Sequence, residues 1–306
     1  MEVPPVWSGV PNAPLSGRPY PGLRREPRSG ALAVKVSRVI ELQSHSTVSD
    51  GELEPAGVIE AAAAAGVTTL ALTDHDAVDG LAEAAEAAAG AGIELVPAAE
   101  MSCGHPVAEE LHLLGYWIDV AQIARFCERA QDERIKRAEE IIANLNAAGV
   151  EVTLAGAIAQ AGDAASVGRP HIAKAAGATE MKPFFERYLI PGTPTYVPRR
   201  WPTTPEAVQL IHDAGGAAVL AHPFWDLEDP RTVADLVDEL DLEGVEVFYP
   251  SHTREQVSFL VDLCRERGLT MTASSDYHGP DHKMFSRFGA YETFGLGDPE
   301  VPAPPQ

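Results

Sequence analysis

The sequence predicts an α/β chain: a barrel of mainly parallel strands interrupted by a small helical insertion. Three observations carry that expectation. Apolar runs of strand length alternate with Ala-rich helical segments, which is the rhythm of parallel β–α units. The rhythm breaks between about residues 120 and 200 and then resumes. Six apolar runs also stop at a His or a carboxylate, at His45, Asp74-His75, Glu100, His112, His222 and Asp276-Tyr277-His278. A buried strand that stops on such a residue presents it at the rim of a sheet. Six such endings point to a ring of ligands at one mouth of a barrel.

The elements follow in order. Seven of the 25 prolines lie within the first 27 residues, among Arg18, Arg24, Arg25 and Arg28, so 1–36 reads as a flexible arm. Residues 36–42 form a first strand. Residues 55–65 are helical and stop at Gly66. A second strand covers 68–73, a helix 78–89 closes at Gly90, and a third strand covers 93–98. Residues 110–118 make a fourth strand. Residues 123–148 form one long helix, because Ile123, Phe126, Ala130, Ile135, Ala138, Ile141, Ile142 and Leu145 recur at i, i+3, i+4 spacing. Gly149 ends it. Residues 154–161, 171–176 and 183–188 are shorter helices. Pro191, Pro194, Pro198 and Pro202 mark the exit from the insertion. Alternation resumes with helices at 205–214, 233–240 and 253–267 and strands at 217–221, 245–248 and 270–274. The organisation is therefore an arm (1–36), a barrel (37–119 and 201–292), an inserted helical lid (120–200) and a loose tail (293–306).

Composition narrows the function. The chain has 306 residues, 45% of them hydrophobic, enough for a large core. Its net charge of −22 disfavours duplex DNA, whose binding needs clustered Lys and Arg. A small phosphorylated ligand or the end of a short single strand is easier to reconcile with that charge. Cys103, Cys127 and Cys264 are scattered and form no CxxC, which fits a reducing, cytoplasmic setting. No apolar run approaches a membrane span, and no secretory leader is evident.

Imidazole and carboxylate are the usual protein ligands for Zn, Mn and Fe, and a bridging carboxylate can hold two cations at the spacing phosphoesterases use. The candidate ligands are His45, Asp50, His75, Glu100, His112, His222, Asp276 and His278. In Asp276-x-His278 both side chains leave one face of an extended segment.

The segment Glu41-Leu42-Gln43-Ser44-His45-Ser46-Thr47-Val48-Ser49-Asp50-Gly51, then Thr73-Asp74-His75-Asp76, Glu100, His112, Ala-His222-Pro and Asp276-x-His278 stand in a specific order. Over residues 38–290 they resemble the polymerase and histidinol phosphatase (PHP) family, whose opening segment reads Asp-Leu-His-x-His-Ser-x-x-Ser-Asp-Gly. The resemblance implies a distorted (β/α)7 barrel with two or three divalent metals at its C-terminal mouth, Mn first among Mn, Zn, Fe and Mg. It implies a first metal among Gln43, His45, Glu100 and Asp276, a second among Asp50, His75 and Glu100, and a third among His112, His222 and His278. Gln43 departs from the family, which has a histidine there. An amide oxygen is the weaker ligand for a transition metal.

Ser166-Val-Gly-Arg169-Pro-His171 and Tyr196-Val-Pro resemble the branch of the family that includes nucleoside 3′,5′-bisphosphate phosphatases and 5′-3′ exoribonucleases. The implied activity is metal-dependent hydrolysis of a nucleotide phosphoester. Arg169 offers a planar fork for phosphate, with Ser166 and His171 beside it. His222 and His252 are the candidates for proton transfer. Competing expectations are another small phosphomonoester, such as histidinol phosphate, and a non-catalytic nucleotide-binding relic with an impaired first metal site. His105, His212 and His282 read as solvated or helical residues. Phe224-Trp225 reads either as a surface for a base or as local packing.

Overall fold

The computed structural model describes residues 39–161, 167–200 and 202–303. The expected arm at 1–36, Ser166 and Trp201 lie outside them.

Seven strands form one sheet in chain order: β1 (Ile40–Glu41), β2 (Thr69–Leu72), β3 (Glu94–His105), β4 (Ala108–Tyr116), β5 (Ala217–Leu220), β6 (Gly244–Phe248) and β7 (Thr270–Ala273). The β1–β2–β3 and β5–β6–β7 pairings are parallel, while β4 is antiparallel to both its neighbours. The ends of the sheet meet. Leu42 N–H donates to Ala273 O at 3.1 Å, His45 N–H donates to Tyr277 O at 2.8 Å, and Ser44 bridges Tyr277 in parallel. The result is a nearly closed seven-stranded barrel, distorted by its one reversed strand.

Alternation along the strands sorts two apolar layers. Leu42, Ala71, Val96, Ala98, Leu114, Tyr116 and Val219 fill the barrel interior, where Tyr116 Oη donates to Leu42 O across the lumen at 2.9 Å. The opposite faces, including Leu70, Leu72, Leu95, Leu113 and Val245, pack under helices. These helices are α1 (Pro55–Ala64), α2 (Leu81–Ala91) and, late in the chain, residues 204–213, 230–239 and 254–267.

Between β4 and β5 the described chain is helical: α3 (Val120–Ala147), α4 (Leu154–Ala161), α5 (Arg169–Ala175), α6 (Met181–Phe184) and one π-helical turn, Phe185–Leu189. A separate apolar cluster around Ile141, Leu145, Ile172 and Leu189 holds this layer. Asp119 starts α3 by accepting the backbone N–H groups of Ala121 and Gln122. The later helices are α7 (Thr204–Asp213), α8 (Pro223–Asp226), α9 (Pro230–Glu239) and α10 (Arg254–Arg267). Among the described residues no helix is long and apolar enough to cross a membrane.

Several expected boundaries move, each for a local reason. α2 runs through Gly90, because Gly92 (φ 74°) takes the left-handed cap position instead. β3 extends past Ala98 to His105, because its second half pairs with β4 from Ala98↔Tyr116 to Cys103↔Leu111. Glu100 therefore projects from mid-strand rather than from a strand end. The expected loose tail is held as far as Pro302: Glu300 N–H donates to Met271 O, and Trp117 Nε1 donates to Pro302 O at 2.7 Å.

The turn after β1 is tight. Gly51 N–H donates to Ser46 O at 2.9 Å, and a Cβ on Gly51 would lie 2.3 Å from His45 O. Gly51→Ala forces the backbone carrying His45 and Asp50 to shift. We expect a loss of about 1–3 kcal/mol, the usual range for overpacking, read as a lower melting temperature together with weaker metal uptake.

Candidate metal centre

The parallel strands all end at one mouth, and β4, running the other way, enters it with its early residues. His45 follows β1, His75 follows β2, His222 follows β5, and Asp276 and His278 follow β7, while Glu100 and His112 come from the β3–β4 hairpin. Their rings form an arc. Successive centroid distances are 4.2 Å for His278–His45, 4.6 Å for His45–His75, 4.9 Å for His75–His112 and 5.3 Å for His112–His222.

Glu100, fully buried, sits at the centre of the arc. Its Oε2 lies 3.1 Å from His45 Nε2 and 3.5 Å from His75 Nδ1; its Oε1 lies 3.1 Å from His112 Nδ1 and 3.2 Å from His222 Nε2. One carboxylate thus faces a pair of imidazoles with each oxygen. Asp276 Oδ1 is 3.1 Å from His45 Nε2, and half-exposed Asp50 reaches His278 Nε2 at 3.5 Å and His75 Nε2 at 3.8 Å.

Three sets of donor atoms lie close enough to share an ion: His45, Asp50, His75 and His278; His75, Glu100 and His112; and His112, His222 and Asp226. His278 joins Asp50 and His45 rather than the expected pair His112 and His222. Its Nδ1, 2.6 Å from the Asp276 carbonyl, turns Nε2 toward Asp50. Asp226 takes the place beside His222, with Oδ2 4.0 Å from His222 Nδ1. The sequence reading missed Asp226, although it stands four residues after His222 in the turn α8. That spacing brings two side chains to one side of a helical turn.

The donors also fit cations by what they leave unsatisfied. His222 Nδ1 and Gln43 Oε1 are buried without a hydrogen-bond partner, and His45 Nε2, His75 Nδ1, His112 Nδ1 and Asp276 Oδ1 face the site's carboxylates and imidazoles at 3.1–3.5 Å without well-aligned hydrogen bonds. Buried polar atoms are normally well paired, so an arc of under-satisfied donors aimed at one space fits bound cations. Gln43 donates Nε2–H to Glu100 Oε2 at 2.9 Å, which leaves its carbonyl oxygen as the unpaired acceptor.

Backbone strain concentrates here. Asp76, His222 and Asp276 have φ values of 46°, 21° and 53°. Positive φ in non-glycine residues costs energy and persists where the surroundings hold it. Asp74 holds the β1 turn by accepting Ser46 N–H at 2.7 Å, Ser46 Oγ–H at 2.8 Å and Ser49 Oγ–H at 2.7 Å. Tyr249, at the end of β6, donates to Asp276 Oδ2 at 2.8 Å and fixes that carboxylate. Tyr249→Phe keeps the packing and removes this bond. We expect metal affinity to fall about ten- to a hundredfold, as for other partners behind metal ligands, measured by metal titration.

Burial works against charge on His222, but its hydrogen bond to Glu100 and the nearby Glu246 and Asp276 charges hold its pKa at about 9. His45 is likewise raised: Asp276 and Glu100 outweigh its desolvation. The site without metal therefore stores protons between its carboxylates, and a cation must displace them. Because the His222 pKa is raised, the proton competes below about pH 9 and not above it. Metal uptake should strengthen as pH rises toward that value and release protons at neutral pH. Calorimetric titration in two buffers of different ionisation enthalpy measures the release; equal heats would contradict it.

The expected phosphate contacts fare differently. Arg169 pairs with Glu109 Oε2 at 2.8 Å and donates to Leu189 O at 3.1 Å. His171 is the third residue of α5 rather than its first, and its Nδ1 accepts Gly168 N–H at 3.1 Å. Arg169 thus ties α5 to strand β4, His171 is engaged at the start of α5, and Ser166 lies outside the described residues. Two arginines that were not singled out for phosphate stand nearer the mouth. Arg134 reaches Asp76 and Ser102 Oγ, and Arg199 reaches Glu110, whose Oε1 is 4.0 Å from His112 Nε2. Burial would raise Glu110, yet Arg199, Arg134 and His112 bring it down to about 2. His252 Nδ1 lies 2.9 Å from Val247 O, its Nε2 is buried without a partner, and burial lowers its pKa to about 4. Cys103, Cys127 and Cys264 are free and buried, with Cys103 and Cys264 pushed up to about 12 by desolvation, so none is a nucleophile.

The chain was compared with known proteins. The family model described as PHP domain matches residues 41–179. A 3′,5′-nucleoside bisphosphate phosphatase of Chromobacterium violaceum is 36% identical over 255 residues, covering 79% of this chain and 87% of its own length. The 5′-3′ exoribonuclease Rnm of Escherichia coli is 33% identical over 256 residues, covering 79% and 86%. Among solved structures, an amidohydrolase from Chromobacterium violaceum with bound sulfate and no metal superposes with a TM-score of 0.71 at 32% identity, over 85% of this chain and 93% of that one. A metal-dependent phosphoesterase from Bifidobacterium adolescentis gives 0.66 at 26% identity, over 83% and 92%. With an arc of imidazoles around one carboxylate at the mouth of a seven-stranded barrel, and with relatives aligned along most of its length, this chain belongs to the PHP domain family.

Proposed function

We propose that the protein is a metal-dependent phosphoesterase that hydrolyses a phosphate monoester or a terminal phosphodiester of a nucleotide, either in a small nucleoside bisphosphate or at the 5′ end of a short single-stranded RNA. The observation that carries this reading is Glu100, whose two oxygens divide four imidazoles into two pairs. His45, Asp50, His75, Glu100, His112, His222, Asp276 and His278 would hold two or three divalent cations, with Asp226 and the Gln43 carbonyl as further donors. Mn is the ion we favour, because an amide oxygen in a donor set of carboxylates and imidazoles suits a harder ion better than Zn. When bound, such cations would make a water acidic enough to attack phosphorus and offset charge on the phosphoryl oxygens.

The chain's own residues do the rest. Glu100 and Asp276 hold the imidazoles, Tyr249 and Asp74 hold the carboxylate and turn behind them, and the barrel floor excludes water below. His222 lies within the donor set, which ties up its nitrogens. His252 would be a neutral imidazole at pH 7, with Nδ1–H given to a carbonyl, and so is a poor proton donor. Arg169 joins the helical layer to the barrel by pairing with Glu109 of β4.

Aromatic surface at the rim supports a nucleotide over a bare phosphomonoester. Trp225 is 48% exposed and Met284 52% exposed. The Trp225 ring lies 5.8 Å from Phe285, which lies 5.5 Å from His278. A base stacking on Trp225 would place its phosphate toward the imidazoles. Release of phosphate or of a mononucleotide with Mn is the test, using a nucleoside 3′,5′-bisphosphate, a 5′-phosphorylated RNA oligomer and histidinol phosphate. Preference for histidinol phosphate would overturn the nucleotide reading, and tight nucleotide binding without release would mark a relic.

A further inference from the structure

We propose that two buried acids outside the donor set, Glu41 of β1 and Glu246 of β6, are positioning residues for the metal centre: Glu246 holds the backbone that presents His222, and Glu41 holds the backbone that presents Asp276. The proposal rests on the metal-dependent reading above and deepens it by naming what orients two of its donors.

Both acids are fully buried. Val245 and Val247 pack under helices, so by alternation Glu246 faces the barrel interior. Ile40 and Leu42 belong to the interior layer, so Glu41 faces the other way. Glu246 Oε2 accepts His222 N–H at 2.8 Å, and its Oε1 accepts Ser274 Oγ–H at 2.6 Å. Glu41 Oε2 accepts Ser275 N–H at 2.8 Å and Ser275 Oγ–H at 2.9 Å, while its Oε1 accepts Gly289 N–H. Strand β7 lies between β6 and, across the closure of the barrel, β1. Acids on the two flanking strands therefore grip consecutive residues, Ser274 and Ser275, in the segment that leads into Asp276.

The held segments carry the strained ligands. His222 and Asp276 have φ values of 21° and 53°, a conformation that persists only where the surroundings fix it. Strands β5 and β7 end at Leu220 and Ala273, before either ligand, so neither lies within a strand. The two carboxylates supply fixed acceptors at these points. Burying an acid without a cation beside it is costly. Among the described residues neither acid pairs with a lysine or arginine, and the partners named above are N–H and O–H groups.

The partners of the two acids differ in a way that substitution can read. A glutamine at 246 satisfies both of its partners: the carbonyl accepts His222 N–H, and the NH2 group donates to Ser274 Oγ once that hydroxyl turns around. A glutamine at 41 has no such solution. Its NH2 group must face either Gly289 N–H or Ser275 N–H, and a backbone N–H cannot become an acceptor.

The test compares the full chain with Glu41→Gln, Glu246→Gln and Glu246→Met. It reads amide hydrogen exchange without metal, Mn affinity by calorimetry, and hydrolysis of a nucleoside 3′,5′-bisphosphate. Glu41→Gln and Glu246→Met should each lose about ten- to a hundredfold in Mn affinity, as when partners behind metal ligands are removed. Exchange should quicken at Ser275 in Glu41→Gln and at His222 in Glu246→Met, with the amides of β5 (Ala217–Leu220) unchanged. Glu246→Gln should stay close to the wild type on every readout. If Glu41→Gln does not fold, the two Glu246 variants decide. Unchanged Mn affinity in folded Glu246→Met overturns the proposal, as does equal loss in Glu246→Gln and Glu246→Met, which would make the charge rather than the held backbone the cause. Faster exchange throughout β5 and β7 with Mn affinity intact would mark packing alone and also overturns it. A wild type that takes up no Mn overturns the metal reading and this proposal together. Mn uptake without hydrolysis removes the phosphoesterase and leaves the positioning role standing.

Discussion

Glu100→Gln should reduce phosphate release by on the order of a thousandfold, the scale seen when a central electrostatic contributor to a transition state is removed. The substitution is nearly isosteric, so the fold around it can survive. What changes is charge. In the wild type a single buried carboxylate faces His45, His75, His112 and His222 at 3.1–3.5 Å. An amide would point its NH2 group at one of these pairs, and the site would lose the central negative charge that would help hold cations there. Unfolding of the variant should remain cooperative, measured by circular dichroism, while metal content falls. Activity within about tenfold of wild type would show that Glu100 is packing rather than the hub of the site.

Gln43→His should have the opposite sign. Gln43 lies beside Glu100 with its amide oxygen unpaired, in the position where the family has a histidine. An imidazole there adds a stronger donor for a transition metal. We expect affinity at that position to rise about ten- to a hundredfold, the size typical of changes around a metal ligand. Activity at limiting Mn should rise with it. The side chain is 1% exposed, so the new ring must fit the space of the old amide. A melting curve tells a repacked site from a misfolded one. If affinity stays unchanged in a folded variant, Gln43 is a spacer, and the cations sit elsewhere in the arc.

The site was legible in the sequence to the extent that its donors are local in the chain. His45, His75, His222, Asp276 and His278 each follow a strand, and a strand's end is readable from the apolar run before it. Glu100 and His112 reach the same mouth from a setting the sequence did not show. They lie inside a long antiparallel hairpin, and hairpin length depends on pairing between strands rather than on either strand's composition. Tyr249, Glu110 and Arg134 reach the mouth only through tertiary packing, and no spacing in the sequence marks them. Asp226 was readable in principle, four residues after His222. Arg169 and His171 stand in a setting the sequence did not show. A fork and a helix start were picked for phosphate; in the structure Arg169 pairs with Glu109 of β4, and His171 Nδ1 accepts the Gly168 N–H.

The fold divides in the same way. Ala-rich helices and short apolar strands were placed within a few residues, because period and glycine stops are local signals. The reversed strand β4 was not marked as such. Direction follows from which neighbours a strand pairs with, and β4 pairs antiparallel with both β3 and β5. The Pro-rich stretch after 293 looked unstructured by composition. As far as residue 303 it is held instead by the backbone bond from Glu300 to Met271 and by the Trp117 indole.

Elemental analysis of the purified protein, after exposure to Mn and removal of free ion, tests the central claim most directly. The account predicts about two to three bound divalent ions per chain, as in hydrolases that clamp a phosphoryl group between metals, with fewer in Glu100→Gln. Less than one ion per folded wild-type chain, for Mn, Zn, Fe and Mg alike, would contradict it.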